Sequence, residues 1–407
     1  MDINNKLASK EACTGCMSCF NSCAHHAIKM VENDEGFFYP IIDNDKCVNC
    51  GLCTKKCPEL QNENNSSKTS HPKVFAVISH TDSTSSSSGG AFSLLARWIL
   101  SQGGIVYGAT IDNNGNVFHM AIDSVSDLPK LKGSKYVQSY VGYVFYQIKK
   151  DLLSGRKVLF VGTGCQVAGI YSYLNKRYEG QLYTIDLICH GVPSNKAFKA
   201  YIDKLKRKRN ITRANISSFA FRKLDGWAIC PSVQFTEGKK IYLELSDNAF
   251  MSSFFKGILF RESCYQCSYC NTNRKGTFTL ADFWGIGKHN IPFKGNVKHG
   301  VSLLIDNENI FRSIDCGEAY VEERPFEEAF FEQDNLKAPM PRHPYRDFAV
   351  KKLVDPQIDL DKYCEQVGIF NKKTVSWFIS TFIKHAMLRI GLFNTFKELQ
   401  YKYLIKK

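Results

Sequence analysis

Two short stretches near the N-terminus contain half of the cysteines in the chain. The chain has 16 cysteines in 407 residues, and eight of them form two runs with the same spacing, Cys13, Cys16, Cys19, Cys23 and Cys47, Cys50, Cys53, Cys57. In bacterial proteins C-x2-C-x2-C-x3-C is a spacing that ligates paired 4Fe-4S clusters. Three thiolates two residues apart lie on one tight loop and hold three irons of a cluster. The spacing therefore predicts one-electron transfer.

The fourth cysteine of each run lies too far round its loop to join its neighbours, so it ligates the other cluster. The predicted ligand sets are Cys13, Cys16, Cys19 with Cys57, and Cys47, Cys50, Cys53 with Cys23. Structural zinc is the alternative, but zinc sites use two well-separated C-x2-C pairs. Two quartets at this spacing favour iron–sulfur clusters.

Composition places the chain among ordinary globular proteins, with 44% hydrophobic and 23% charged residues. The N-terminus MDINNKLASK lacks the apolar core of a secretory signal, and no apolar run is long enough to predict a membrane-spanning helix. We therefore expect a cytoplasmic protein with reduced thiols. The net charge of +14 is spread along the chain without a nucleic-acid-binding motif, so nucleic acid is not an expected partner.

The elements that must position these cysteines follow a mixed pattern. We predict a two-cluster ferredoxin domain at 1–60, a polar linker at 61–72, a larger domain at 73–345 and a helical basic tail at 346–407. In the larger domain, strands such as KVFAVISH, IVYGATI and KVLFVGTG alternate with helices, which indicates an α/β sheet. The fold class is thus α+β and α/β. The apolar, basic tail is expected to pack on its own domain or on a partner, and peripheral contact with a membrane surface is the alternative.

The remaining eight cysteines fall into three groups. Cys165 and Cys189 each follow a predicted strand, so both belong at the carboxyl edge of the sheet, where open α/β folds build their sites. Cys264, Cys267 and Cys270 share the loop RESCYQCSYC. The others, Cys230, Cys316 and Cys364, are interpreted as small buried hydrophobic residues.

Five segments in order resemble the beta-subunit family of coenzyme F-420 hydrogenases and dehydrogenases: SSSSGGAFSLLA, KGSKYVQS, GTGCQVAGI, LICHGVPS and RESCYQCSYCNTNRKGTFTLADFWGIG. The resemblance covers about 73–345. It implies a flavin and one further 4Fe-4S cluster, with ligands carried over by motif at Cys165, Cys189, Cys264 and Cys267. Whether Cys267 or Cys270 completes this set stays open.

The Ser/Gly segment TDSTSSSSGGAF lies between a strand and a helix, where backbone N–H groups and the helix dipole favour a phosphate. A flexible surface loop is the alternative. With the resemblance, the predicted flavin-binding residues are Ser88, Gly89, Gly90, Gly133, Lys135, Tyr136, Gly162 and Gly164. Lys135 would neutralise a pyrophosphate or the reduced ring, and Tyr136 would stack. FAD is the expected flavin, and FMN stays open.

His190 follows Cys189 and is the candidate acid or base; hydrogen bonding beside a ligand is the alternative role. The sequence therefore predicts an iron–sulfur flavoprotein oxidoreductase that exchanges electrons with a redox partner such as ferredoxin and with a two-electron substrate or deazaflavin-like carrier. The family resemblance extends to bacterial members associated with polysaccharide synthesis. The alternative is a non-catalytic electron-transfer subunit that serves a partner enzyme.

Overall fold

The structure, a computed structural model, describes residues 6–61, 72–222, 230–238, 240–243, 248–368, 375–393, 395, 396 and 399. Most of the predicted linker at 61–72 lies outside the described residues, as does the end of the tail. The strands are β1 Ile28–Glu32, β2 Phe38–Ile42, β3 Lys73–Ser79, β4 Ile105–Ile111, β5 Val117–Ile122, β6 Val158–Thr163, β7 Leu182–Leu187, β8 Ile216–Ala220, β9 Ser232–Phe235, β10 Ile241–Tyr242, β11 Phe278–Asp282, β12 Ser302–Asp306 and β13 Ala319–Arg324. The helices are α1 Ser18–Ser22, α2 Leu52–Lys55, α3 Ala91–Leu100, α4 Leu128–Leu131, α5 Val144–Leu153, α6 Gly164–Leu174, α7 Asn195–Lys208, α8 Ala249–Phe255, α9 Arg346–Val354, α10 Leu360–Gln366 and α11 Val375–Arg389.

The N-terminal module is a small hairpin with a short helix before and after it. Strands β1 and β2 pair antiparallel with Ile28 opposite Ile42, and α1 contacts α2. Each of these one-turn helices carries a cysteine, Cys19 on α1 and Cys53 on α2. The hairpin therefore brings the two cysteine runs side by side.

The larger domain is built on an eight-stranded sheet with the order β13-β3-β12-β11-β7-β6-β4-β5. Its central strands β4, β6, β7 and β11 are parallel, and the outer pairings are antiparallel. The buried apolar runs of β6 and β7 fit a sheet covered on both faces. The predicted α/β architecture is confirmed, and Cys165 and Cys189 do follow neighbouring parallel strands.

A second core lies beyond the main sheet. Helices α7 and α8 and the three-stranded sheet β10-β9-β8 share it with buried residues of α9 and α10, including Ala349 and Tyr363. The first part of the predicted tail is therefore integrated into the larger domain. On α11, Val375, Ile379 and Phe382 are exposed, while Leu388 packs beside Cys230. Among the described residues, no helix has both the length and the apolar character needed to cross a membrane.

Candidate electron-transfer site

The first cysteine group lies in the N-terminal module, on the side where Gly169 of α6 packs against Cys16. One cavity is lined by Cys13, Cys16, Cys19 and Cys57 together with apolar side chains such as Met30. Burial, followed by the neighbouring cysteine thiols, raises the pKa values of Cys16 and Cys19. Buried thiolates this close to one another repel, so their ionised forms need a shared cation. The donor set fits the iron of a cluster, and it is the set that the spacing predicts.

The second group faces outward. Cys50 is exposed, and Cys23, Cys47 and Cys53 are partly exposed. The Cys23 thiol accepts a hydrogen bond from the Ala27 backbone N–H at 3.3 Å, which fixes its side chain at the end of α1. We call this group the distal cysteines and the group of Cys13, Cys16, Cys19 and Cys57 the proximal cysteines.

A third group of thiols lies at the carboxyl edge of the sheet. Burial and the neighbouring Cys267 and Cys189 thiols raise the pKa of Cys165, and burial with Cys189 and Cys267 raises that of Cys264. The structure therefore brings together Cys165, Cys189, Cys264 and Cys267, which lie up to about one hundred residues apart in the sequence. These four thiols are buried and close enough to affect one another's pKa values. Such a set of sulfur donors fits a further 4Fe-4S cluster.

Cys270 lies beside this third group and contacts two of its members. A hydrogen bond with Cys270 lowers the pKa of Cys267, and the Cys270 thiol lies 3.7 Å from the carbonyl oxygen of Cys189. Cys270 therefore contacts two members of the group as a hydrogen-bond donor. In the described part of the chain, no group of three or more His, Cys, Asp or Glu side chains is arranged to hold a single metal ion.

The proximal and third groups are joined by direct packing. Helix α6, which carries Cys165, contacts α1, and a Cβ atom on Gly169 of α6 would lie 2.9 Å from the Cys16 Cβ and 3.2 Å from its sulfur. Tyr269, in the loop of the third group, donates its hydroxyl hydrogen to Glu59 Oε1 at 2.7 Å. Glu59 itself lines the cavity of the proximal cysteines. The glycine at 169 thus permits the close approach of the two sulfur sites.

The glycines predicted to receive a phosphate have structural roles of their own. A Cβ on Gly89 would lie 2.1 Å from the Val77 carbonyl oxygen, and Gly90 precedes α3 with φ of 89°. A Cβ on Gly164 would lie 2.8 Å from the Tyr269 Cβ, and one on Gly162 would lie 3.0 Å from Gln166 Oε1. Gly133 has φ of 80°. The glycine pattern is therefore explained by packing and backbone conformation, and its assignment to a flavin stays a prediction.

The two predicted flavin segments do meet in space. Asp82, at the start of the Ser/Gly loop, is buried and accepts hydrogen bonds from Lys132 Nζ at 2.6 Å and Arg97 Nε at 2.7 Å. Lys132 also donates to Ser85 Oγ at 2.7 Å. In contrast, the Ser88 hydroxyl is directed to the Val301 carbonyl oxygen at 2.9 Å. Asp82, which no sequence motif singles out, therefore joins the two segments.

We expect Asp82→Asn to destabilise the protein by about 3 kcal/mol, because it leaves the mostly buried Lys132 ammonium without its anion. Burial alone would raise the pKa of Asp82, but the hydrogen bonds from Arg97 and Lys132 outweigh it and lower that pKa. The stabilisation should thus be present above the unfolded pKa of about 3.9 and be lost as the pH falls through the folded value. Urea unfolding of wild type and variant measures the difference.

The matched control is Asp127→Asn, which removes an exposed i,i+3 pair with Lys130. Exposed pairs contribute less than about 1 kcal/mol. Equal losses from the two variants would contradict the role assigned to Asp82.

Two buried donor side chains lie beside these segments. Within the described ranges, the Ser87 hydroxyl has no hydrogen-bond partner. Arg222 pairs with Asp282 through Nη1, and no described residue accepts a hydrogen bond from its buried Nε and Nη2. Arg222 is 1% exposed and lies next to Tyr136. Burial raises the pKa of the Tyr136 hydroxyl, and the positive charge of Arg222 opposes that rise. Unsatisfied buried donors are costly unless a ligand accepts from them. Ser87 and Arg222 therefore fit the anionic and polar edges of a flavin.

Lys135 and Tyr136 are partly buried between these donors. Lys135 Nζ donates to the carbonyl oxygens of Leu131 at 2.9 Å and Lys132 at 2.8 Å. Burial lowers the pKa of Lys135 to about 7. The Tyr136 ring stacks on Phe254 with centroids 4.5 Å apart, so one of its faces is already covered.

His190 is enclosed by aromatic rings and both of its nitrogens face oxygens. Nδ1 lies 2.9 Å from Asn335 Oδ1, and Nε2 lies 3.3 Å from the Phe255 carbonyl oxygen. The ring centroid is 5.2 Å from that of Phe254. This geometry supports a positioning role, and a catalytic role for His190 stays a prediction.

Fold and thiol groups together define an iron–sulfur protein of the electron-transfer type, with a two-cluster module in front of a larger α/β domain. Comparison with family models agrees. Residues 12–60 and 39–88 match two models of a 4Fe-4S dicluster domain, which overlap in the module. Residues 155–314 match the model for the C terminus of the beta subunit of coenzyme F420 hydrogenase/dehydrogenase, which confirms the family resemblance for the three motifs in that range.

No curated protein matches the chain. Among solved structures, a xenon-derivatised F420-reducing [NiFe] hydrogenase complex from Methanosarcina barkeri has a chain that is 15% identical, with 74% of this chain and 93% of that chain covered and a TM-score of 0.40.

Proposed function

We propose that the chain is an iron–sulfur flavoprotein oxidoreductase that takes single electrons from a redox protein and delivers them in pairs to a substrate or deazaflavin-like carrier, or runs in reverse. The supporting observation is the order of the three thiol groups. The distal cysteines are the most exposed, the proximal cysteines lie at the module interface, and the third group lies at the carboxyl edge of the sheet. This order suits a path in which electrons enter at the N-terminal module and are used in the larger domain.

The proposal includes a third 4Fe-4S cluster with Cys165, Cys189, Cys264 and Cys267 as ligands. Cys267 is preferred over Cys270, because Cys270 hydrogen-bonds to Cys267 and lies against the Cys189 carbonyl oxygen. Buried thiolates hold a cluster, and hydrogen bonds to their sulfurs adjust its potential. Cys270 would therefore support the site as a donor.

The proposal also includes a flavin, preferably FAD, beside the third group. A bound flavin would supply the exchange between one- and two-electron chemistry. Lys135 and Arg222 would hold its anionic groups, and Ser87 would donate to a phosphate or ring oxygen. Thr163, at the end of β6, lies beside the third thiol group, since its hydroxyl is 3.1 Å from the Cys165 sulfur.

A non-catalytic electron-transfer subunit is the second candidate. It is favoured by Gly89 and Gly164, which packing explains without any cofactor. In that case the exposed distal cysteines and a face of the larger domain would dock to redox partners. Either function suits the cytoplasm, where the thiols stay reduced. A role in polysaccharide synthesis would follow from the family resemblance.

Iron content tests the number of clusters. After anaerobic reconstitution we expect roughly 12 iron atoms per chain, because three clusters hold four each. A content of about eight iron atoms would show that the third cluster is absent. Zinc in place of iron would contradict the electron-transfer function. The same sample, denatured to release bound flavin and read by absorbance, separates the oxidoreductase from the transfer subunit.

A further inference from the structure

Arg261 is a buried cation at the junction of the two sulfur sites. Its side chain is 0% exposed, and it lies three residues before Cys264 of the third group. Its backbone carbonyl accepts from the Cys264 N–H at 2.9 Å, and its guanidinium reaches across to the N-terminal module. The residue is thus bound to both sites.

The guanidinium contacts a proximal cysteine at two atoms. Nε donates to the Cys13 carbonyl oxygen at 2.7 Å, and Nη2 lies 3.6 Å from the Cys13 sulfur. Nη2 also donates to the Phe38 carbonyl oxygen at 3.1 Å, and Nη1 to Gln138 Oε1 at 3.2 Å. These hydrogen bonds fix the orientation of the guanidinium, so its contact with the Cys13 sulfur is set by the folded structure.

The loop of the first cysteine run is shaped to admit this group. Gly15 has φ of 68°, and a Cβ there would lie 3.0 Å from Arg261 Nη1. On another side, the Tyr39 ring lies 4.0 Å from the guanidinium carbon. Glycine therefore lets the guanidinium approach the backbone of the loop, and the aromatic ring shields it from water.

Arg261 has no carboxylate partner among the ion pairs of the described residues, in contrast to Arg346, which pairs with Glu35. An unpaired buried charge is costly. Four thiolates around a cluster carry net negative charge, so the proximal site itself supplies the counter-charge that Arg261 lacks. The arginine and the cysteines then stabilise each other.

We propose that Arg261 sets the reduction potential of the proximal cluster. Reduction by an external one-electron donor, such as reduced ferredoxin or dithionite, adds one electron and no proton to the cluster. The added negative charge lies beside the guanidinium in a site of low dielectric, where the attraction is strong. Arg261 therefore favours the reduced form and raises the potential. The inference rests on the dicluster module and needs neither the third cluster nor the flavin.

The test is an anaerobic EPR redox titration of the whole protein carrying Arg261→Gln. We expect the equilibrium constant for reduction of the proximal cluster to fall about tenfold, which for one electron is a 59 mV lower potential. The distal cluster should be unchanged. The proximal signal is assigned by Cys57→Ser, which removes it.

The matched control is Arg346→Gln. Arg346 is buried to the same degree and also joins the module to the larger domain, through Glu35 at 2.7 Å and the Phe260 carbonyl oxygen at 3.1 Å, but it contacts no cysteine. Its substitution should leave the proximal potential in place. An unchanged potential in the Arg261 variant, or an equal fall in both, overturns the proposal.

If Arg261→Gln loses the proximal cluster, a measurement on the wild-type protein still tests the proposal. With isotopically labelled arginine, pulsed EPR of the reduced proximal cluster should detect coupling to a guanidinium nitrogen. That coupling should be absent in Arg261→Lys. A wild-type spectrum without nitrogen coupling from arginine overturns the proposal.

Discussion

Cys189→Ser is expected to remove about four of roughly 12 iron atoms per chain and to leave both clusters of the N-terminal module. Cys189 follows β7 at the edge of the parallel sheet, and burial with the neighbouring Cys267 thiol raises its pKa. The module has its own eight cysteines, so it does not depend on this residue. Iron analysis and EPR of the reduced protein measure the loss. Electron transfer from the module to an acceptor bound in the larger domain should stop.

Two other cysteines provide the comparison. Cys230 is 1% exposed but packs with Leu388 and Phe393, away from the third group, so Cys230→Ser should keep all of the iron. Cys270→Ser should also keep it, because serine can still donate to Cys267. Full iron in Cys189→Ser together with a loss of about four atoms in Cys270→Ser would show that the ligand assignment is wrong.

The part of this site that the sequence could predict depends on local spacing and on one rule of sheet geometry. For the two N-terminal runs, the spacing alone predicts the ligands. Cys165 and Cys189 could be placed together because each follows a buried strand, and parallel neighbouring strands end at one edge. The sequence order of the strands does not reveal that β11 lies beside β7, so the approach of the 264–270 loop could be inferred only from the family motifs.

The rest depends on contacts between distant residues. Arg261 and Tyr269 stand inside a recognised motif, but nothing in it shows that they reach Cys13 and Glu59 in the other domain. Arg222 has no motif at all. The glycines show the opposite problem: Gly89 in a Ser/Gly loop resembles a phosphate-binding pattern, while its close approach to the Val77 carbonyl oxygen is visible only in the folded chain.

For the flavin, the informative substitution is therefore Lys135→Gln and not a change at Gly90. A valine at Gly90 would be strained by the φ of 89° with or without a cofactor. Removing the Lys135 charge should weaken flavin binding by roughly 1.5–3 kcal/mol, since hydrogen bonds to charged groups contribute that much. This corresponds to roughly a tenfold to hundredfold loss of affinity. Fluorescence titration of the apoprotein with FAD and FMN measures it.

The pH dependence gives the flavin test a second measurement. Because burial lowers the pKa of Lys135 to about 7, the free protein loses this positive charge as the pH rises through that value. Wild-type affinity for an anionic flavin should thus be higher at pH 6 than at pH 8 (roughly one unit either side of that pKa), and Lys135→Gln should lose this component. The control is Lys130→Gln, which removes an exposed ammonium that pairs with Asp127. This variant should bind flavin as the wild type does.

If wild-type protein prepared anaerobically and offered flavin holds none, the chain lacks a converter between one- and two-electron chemistry. The electron-transfer subunit would then be its function.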